Sequence, residues 1–122
     1  MWKLPDNAAS IALIEAFVKA DKPVSAVCHA PAAFVNVRGK VGEYLVKGRR
    51  VTGFTNEEEA ALGLTEVVPF LLDDLLKARS GVYSKVADWA SYVQVDGRLV
   101  TGQNPASSGA AAAELLKLRR SI

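Results

Sequence analysis

The stretch VSAVCHAP, residues 24–31, places the only cysteine and the only histidine of the chain side by side. Residues 24–27 are small or β-branched, which is typical of a short interior strand of a parallel sheet. Pro31 suits the first turn of a helix, where the N–H groups have no partners within the helix. We therefore predict a strand-to-helix junction, with Cys28 and His29 at the turn.

This junction favours nucleophilic chemistry. A thiol at a helix start faces the positive end of the helix dipole and free N–H groups, which lower its pKa from about 8.5. The same N–H groups can stabilise an oxyanion formed when the thiolate attacks a carbonyl. A single free cysteine is more often buried and inert. The neighbouring His29 makes us favour a reactive Cys28.

Composition limits the class of protein. With 122 residues, half of them hydrophobic, the chain is long enough for one domain with a substantial core. Fifteen basic and thirteen acidic residues leave a net charge of +2, so no nucleic-acid partner is expected. A single cysteine, no signal-peptide pattern and no apolar run of about eighteen residues predict a cytoplasmic protein that does not enter a membrane.

Periodicity and turn signals predict alternating helices and strands. The predicted helices cover about 6–19, 31–35, one turn capped by Asn56, 65–80 and 106–119. The predicted extended segments cover 24–27, 43–46, 50–54, 92–95 and 98–101, the last two joined by the hairpin signal Asp96-Gly97. This alternation predicts an α/β sandwich with a mainly parallel sheet, although only three segments are typical of interior strands.

Three blocks of sequence resemble the ThiJ/PfpI superfamily. They are AVCHAPAA at 26–33, VTGFTNEEE at 51–59 and DGRLVTGQNPASS at 96–108. They are most similar to the branch of glyoxalase III enzymes and heat-shock chaperones. The resemblance implies a flavodoxin-like fold of the class I glutamine amidotransferase type. It also implies that residues 1–122 form a partial domain of this type, which lacks the N-terminal strands of the full family domain.

The resemblance assigns roles to individual residues. It implies that Cys28 is the nucleophile, His29 its catalytic neighbour and Glu59 the acid of a triad. Glu59 has a competing interpretation, since Asn56 and Glu59 also have the spacing of a helix capping box. Ala30 stands where the family commonly has glycine and, with Asn104, is assigned to substrate binding, although helix capping explains Asn104 equally well.

Three other residues, Glu57, Glu58 and Trp89, are interpreted as contributing to the fold instead of to catalysis. Glu57 and Glu58 are interpreted as first-turn acids favoured by the helix dipole. Trp89 is interpreted as a packing or interface residue.

The implied activity is that of glyoxalase III. Such an enzyme converts 2-oxoaldehydes such as methylglyoxal to 2-hydroxy acids, as a lyase that needs neither metal nor organic cofactor. The family's acidic partner of the thiol and its glycine-rich loop have no counterpart here, so we expect poor activity from this chain alone. The alternative is a thiol-independent holdase chaperone of the stress response. The expected partners are a small carbonyl substrate and either a second copy, in a homodimer, or a chain that supplies the missing strands.

Overall fold

The structure is a computed structural model that describes residues 1–120. It contains two small β-sheets, of three and two strands. The strands are β1 (Val24–Val27), β2 (Arg50–Val51), β3 (Val82–Tyr83), β4 (Val93–Asp96) and β5 (Leu99–Gly102). The α-helices are α1 (Ala8–Lys19), α2 (Asn56–Ala61), α3 (Leu72–Ala78) and α4 (Ser108–Arg120). Short 3₁₀ helices cover Leu4–Asp6, Ala30–Phe34 and Pro105–Ser107.

The larger sheet has the strand order β1-β5-β4. β1 runs parallel to β5, with Val27 opposite Gly102, and β4 runs antiparallel to β5 in the predicted hairpin. Gly97 takes a φ of 60° in the hairpin turn, a conformation that glycine adopts at little cost. β2 and β3 form a second, parallel pair. The prediction of an α/β fold with a mainly parallel sheet is confirmed.

Helices cover the sheet and enclose the core. α4 packs on β1 and β5, while α1 packs on β1 and on the 3₁₀ helix 30–34. β5 is buried along its whole length, and β1, at the edge of the sheet, is half-buried. The buried core includes Val35, Val46, Val51, Leu72, Leu76 and Leu99. Within residues 1–120, every helix is too short or too polar to cross a membrane.

The predicted strand 50–54 is too long, since the observed strand ends at Val51. Hydrogen bonds to distant segments of the chain explain this early end. Pairing with β3 stops at Val51. The backbone N–H of Thr52 then donates to the hydroxyl of Thr101, and that of Phe54 donates to the carbonyl of Cys28. The segment therefore leaves its strand partner to bind the carboxyl ends of β1 and β5.

Two other predicted elements are wrong. Residues 43–46 form bends and turns, with a single bridge between Arg38 and Tyr44, instead of an extended segment. The helix predicted over 65–80 begins only at Leu72. Pro69 explains the late start, because proline lacks the N–H that a helix interior requires and disfavours helical geometry in the residue before it.

Close packing at Gly102 makes a first prediction. A Cβ at this position would lie 2.6 Å from Cγ1 of Val27 and 2.9 Å from Cβ of Ser107. We expect Gly102→Ala to lower the free energy of unfolding by about 1–3 kcal/mol, measured by urea denaturation. Gly109→Ala is the matched control, because nothing lies within 4 Å of its added Cβ. Equal stability of the two variants would contradict this account of the packing.

Candidate active site

Cys28 follows β1 directly and has a φ of 62°. This left-handed conformation is costly for a non-glycine residue, by about 1–3 kcal/mol, and persists only where neighbouring structure enforces it. Here the N–H of Cys28 donates to the carbonyl of Gly102 at 3.0 Å, and its carbonyl accepts from the N–H of Phe54 at 2.9 Å. The tight turn after β1 is therefore held from both sides, and it sets the direction of the thiol.

The structure brings Cys28, His29 and Glu59 together. Sγ of Cys28 lies 3.5 Å from Nδ1 of His29. Nε2 of the same imidazole lies 2.9 Å and 3.1 Å from the two carboxylate oxygens of Glu59. Because a carboxylate only accepts hydrogen bonds, this contact favours a proton on Nε2 and leaves Nδ1 free to take the proton of the thiol. The arrangement can generate a thiolate next to an imidazolium.

Glu59 reaches His29 because another pair of residues caps α2. The hydroxyl of Thr55 accepts from the N–H of Glu58, and the carboxylate of Glu58 accepts from the N–H of Thr55. The predicted cap at Asn56 and its box with Glu59 are therefore wrong, since Asn56 is the first residue of the helix. The capping box leaves the buried carboxylate of Glu59 free to bind the imidazole.

Asn104, predicted to contact substrate or to cap a helix, lies at the N-cap of the 3₁₀ helix 105–107, as the capping interpretation expects. It is fully buried, and its Nδ2 donates to the carboxylate of Glu58 at 2.8 Å and to the carbonyl of Ala90 at 2.7 Å. Its amide donors are thus committed to the protein. The interpretation of Glu58 as an ordinary first-turn acid is also incomplete, because this side chain is fully buried.

Glu58 is the residue of this region that sequence reasoning missed. Burial opposes its ionisation, but hydrogen bonds from Trp89, Asn104, Thr55 and Gln103 hold the pKa of its carboxyl below the usual value. The spacing of Thr55 and Glu58 is that of a capping box, and this signal in the sequence could have identified the pair.

Phe54 packs on the imidazole, and Trp89 in turn packs on Phe54. The ring of Phe54, buried at 2% exposure, packs on His29 with 4.3 Å between ring centroids. The ring of Trp89 meets Phe54 edge-on at 5.7 Å and is 44% exposed. Trp89 therefore belongs to the surroundings of the site, in addition to the packing role that its sequence suggested.

Ala30, predicted to contact substrate, is the exposed first residue of the 3₁₀ helix 30–34, directly after His29. It lines an apolar groove of about 360 Å³ beside α1 and β1, together with Leu13, Phe17 and Ala33.

As for metal binding, the described residues 1–120 contain no group of three or more His, Cys, Asp and Glu side chains that could hold an ion.

The predicted lowering of the Cys28 pKa is wrong. Burial of the thiol raises its pKa, and this effect outweighs the hydrogen bond from the backbone N–H of His29. The charges of Glu58 and Glu59 raise the pKa further. The helix that follows is a 3₁₀ helix of only five residues, so it offers a smaller dipole than a long α-helix would.

This direction of the pKa makes a second prediction. The thiolate form increases as pH approaches the raised pKa from below, so alkylation by iodoacetamide should accelerate about tenfold per pH unit from pH 7 to 8.5. Cys28 is the only cysteine, so the measurement reports this thiol alone. A rate that is already constant above pH 7 would show a lowered pKa and contradict the prediction.

Two glyoxalases are similar in sequence to this chain. Glyoxalase 3 of Candida albicans is 38% identical over 91 residues, which cover 70% of this chain and 39% of that protein. The glutathione-independent glyoxalase HSP31 of Saccharomyces cerevisiae is 40% identical over 91 residues, covering 70% of this chain and 38% of that protein. The chain thus spans less than half the length of these two relatives.

Solved structures show the same fold. The glyoxalase III structure from Candida albicans superposes with a TM-score of 0.90 at 29% identity, covering 96% of this chain and 52% of that one. The Rapid Encystment Protein of Francisella tularensis superposes with a TM-score of 0.92 at 36% identity, with the same coverage. The model of the DJ-1/PfpI family matches residues 2–118. With nearly all of its residues matched, the chain belongs to the DJ-1/PfpI family.

Proposed function

We propose that this chain carries the nucleophile and proton-transfer groups of a glutathione-independent glyoxalase. The single observation that carries the proposal is the continuous contact from the thiol of Cys28 through the imidazole of His29 to the carboxylate of Glu59. The glyoxalases among the similar proteins support the choice of a 2-oxoaldehyde such as methylglyoxal as substrate. The product would be a 2-hydroxy acid.

The geometry supports a first step of nucleophilic addition. Nδ1 of His29 takes the thiol proton, and Sγ of Cys28 bonds to the aldehyde carbon. The aldehyde oxygen takes the proton back from the imidazolium and becomes the hydroxyl of a hemithioacetal. Glu59 stabilises the transient imidazolium through its contact with Nε2.

The second stage is an internal redox change. The imidazole removes the proton on the former aldehyde carbon; the C–H electron pair forms a C=C bond, and the ketone oxygen takes the displaced pair and a proton, which gives an enediol. The imidazolium then protonates the former ketone carbon while the hydroxyl on the first carbon loses its proton and becomes the thioester carbonyl. The first carbon is oxidised to a thioester and the second is reduced to an alcohol, so no outside oxidant or reductant is needed. Water then attacks the thioester, the C–S bond breaks, and the 2-hydroxy acid leaves with the thiol restored.

Lactate formation from methylglyoxal without glutathione tests the proposal. We expect lactate above the protein-free rate, detected by proton NMR, with a rate that rises from pH 7 to 8.5 as the thiolate forms. The proton that the imidazole removes from the first carbon is transferred to the second carbon. In D₂O, any exchange of this proton with solvent should place deuterium in the new C–H bond. Little activity is expected from this chain alone, so the decisive comparison is with Cys28→Ala, and equal lactate formation by the two proteins across this pH range would overturn the proposal.

A second function, protein association, is favoured by one apolar surface. β1 is at the edge of its sheet, and beside it lie exposed apolar side chains of α1 and the N-terminal segment, including Leu4, Leu13 and Phe17. An exposed strand edge flanked by apolar surface can pair with another chain. A second copy, a chain that supplies further strands and an unfolded client protein are the partners we propose for this surface.

Suppression of aggregation distinguishes this function from catalysis. For a holdase, Cys28→Ala should leave suppression of citrate synthase aggregation unchanged, whereas Leu13→Lys with Phe17→Lys should abolish it by charging the apolar surface. Sedimentation of the same variants reports any homodimer through this face. If the doubly charged variant suppresses aggregation as well as the unmodified chain, this surface has no such role.

A further inference from the structure

The buried carboxylate of Glu58 joins three separate segments of the chain. Its Oε1 accepts from the backbone N–H of Thr55 at 3.1 Å, at the start of α2. Its Oε2 accepts from the backbone N–H of Trp89 and from Nδ2 of Asn104, both at 2.8 Å. A carboxylate accepts hydrogen bonds at both oxygens, so it satisfies all three donors at once. Glu58 thereby fixes the loop before β4 against α2.

The loop needs such an anchor at Trp89. This residue has a φ of 65°, in the left-handed region that a bulky side chain rarely adopts. Backbone strain of this kind persists where the surroundings hold the residue in place. The hydrogen bond from the N–H of Trp89 to Glu58 is one such contact, and Glu58 is the residue next to the acid that binds His29.

One intermediate ring, that of Phe54, links the ring of Trp89 to the imidazole. Trp89 meets Phe54 edge-on, and Phe54 packs on His29 at 4.3 Å. The imidazole itself is 29% exposed, and its contact with the thiol is a hydrogen bond to sulfur at 3.5 Å, which holds a ring weakly. Its orientation therefore depends on two supports, the carboxylate of Glu59 and the ring of Phe54.

We propose that Glu58 is a positioning residue for His29, which acts by holding Trp89 against Phe54 and thereby keeping the imidazole directed at Glu59. The inference rests on the proposed function for its consequence, since a misdirected imidazole cannot take the thiol proton through Nδ1. The orientation of the imidazole itself can be measured in the protein without substrate.

Nitrogen-15 NMR of the single histidine at pH 8 tests this role. In the unmodified protein we expect the neutral imidazole to carry its proton on Nε2, facing Glu59. In Glu58→Ala and in Trp89→Ala, the ratio of Nε2–H to Nδ1–H tautomers should fall about fivefold, the change expected when a hydrogen bond of ordinary net strength is lost. The tautomer ratio is measured without substrate and does not depend on turnover. Trp89→Ala keeps the carboxylate of Glu58, so a purely structural role of Glu58 predicts no change of the ratio in this variant.

Two further variants act as controls. Glu58→Gln removes the charge but can place its amide oxygen where Oε2 accepts from Trp89 and Asn104, so the tautomer ratio should stay within twofold of that of the unmodified protein. Glu57→Ala removes an exposed carboxylate one residue earlier, which pairs with Lys85, and should also leave the ratio unchanged.

Each unexpected result overturns the inference. An unchanged ratio in Trp89→Ala excludes the path through the aromatic rings, and this variant decides the question if Glu58→Ala does not fold. A fivefold fall in Glu57→Ala or in Glu58→Gln would show an effect of charge instead of positioning. Lactate formation is measured separately, so the absence of turnover with the expected tautomer changes would contradict the proposed function and leave the positioning role intact.

Discussion

Replacing Cys28 by alanine is expected to abolish lactate formation from methylglyoxal. The thiol forms the only covalent bond to substrate in the proposed mechanism, and no other cysteine can replace it. Loss of a nucleophile of this kind lowers turnover by about a thousandfold or more, which here means the protein-free rate. The measurement is lactate production by proton NMR at pH 8.5, where more of the thiol is ionised than at pH 7.

The unusual backbone at Cys28 offers a control for folding. Because φ is 62°, glycine relieves strain there, so Cys28→Gly should be at least as stable as Cys28→Ala while it also lacks the nucleophile. Loss of turnover in both variants with normal denaturation midpoints separates chemistry from unfolding. Turnover by either variant at the unmodified rate would show that the thiol is not the nucleophile.

Replacing Glu59 by glutamine is expected to have the second-largest effect. Glu59 is 1% exposed, and both its oxygens lie within hydrogen-bond distance of Nε2 of His29. The amide is neutral, so it cannot stabilise the imidazolium, and its N–H₂ group can turn the ring to the wrong tautomer. We expect kcat/KM for methylglyoxal to fall by about a hundredfold to ten-thousandfold.

Glu57→Gln is the matched control for this prediction. It makes the same chemical change two residues earlier on α2, at an exposed side chain whose partner is Lys85. Its kcat/KM should stay within about twofold of the unmodified value, as for an ordinary surface substitution. If Glu59→Gln and Glu57→Gln had equal kcat/KM, Glu59 would have no part in proton transfer.

The local elements were the most predictable part of the fold. The strand 24–27, the hairpin at Asp96-Gly97 and the helix after Asn7 all form within one residue or so of their predicted positions. Their signals are local, since β-branched runs, two-residue turns and capping side chains act on adjacent backbone. The strand 50–54 and the helix 65–80 were overestimated, because distant partners and Pro69 end or delay them.

The electrostatics of the site were the least predictable part. The helix-start argument assigned Cys28 a lowered pKa, whereas burial and the charges of Glu58 and Glu59 raise it. A local motif does not show how deeply the thiol is buried or which charges the fold brings near it, so it cannot predict their effect on the pKa. The same limit applies to Asn104, whose hydrogen bonds to Glu58 and Ala90 join segments that a local motif does not show together.

The sequence by itself determined that a cysteine and a histidine stand at the end of a buried strand, and its three characteristic blocks determined the family. The resemblance pointed to Glu59 among three consecutive glutamates, and only the tertiary structure decided between contact with His29 and the capping box. Glu57 faces solvent and Lys85, Glu58 is taken by the capping box and the Trp89 loop, and Glu59 is left to meet the imidazole. Adjacent residues on a helix start point in different directions, and what each meets depends on the segments that the fold brings there.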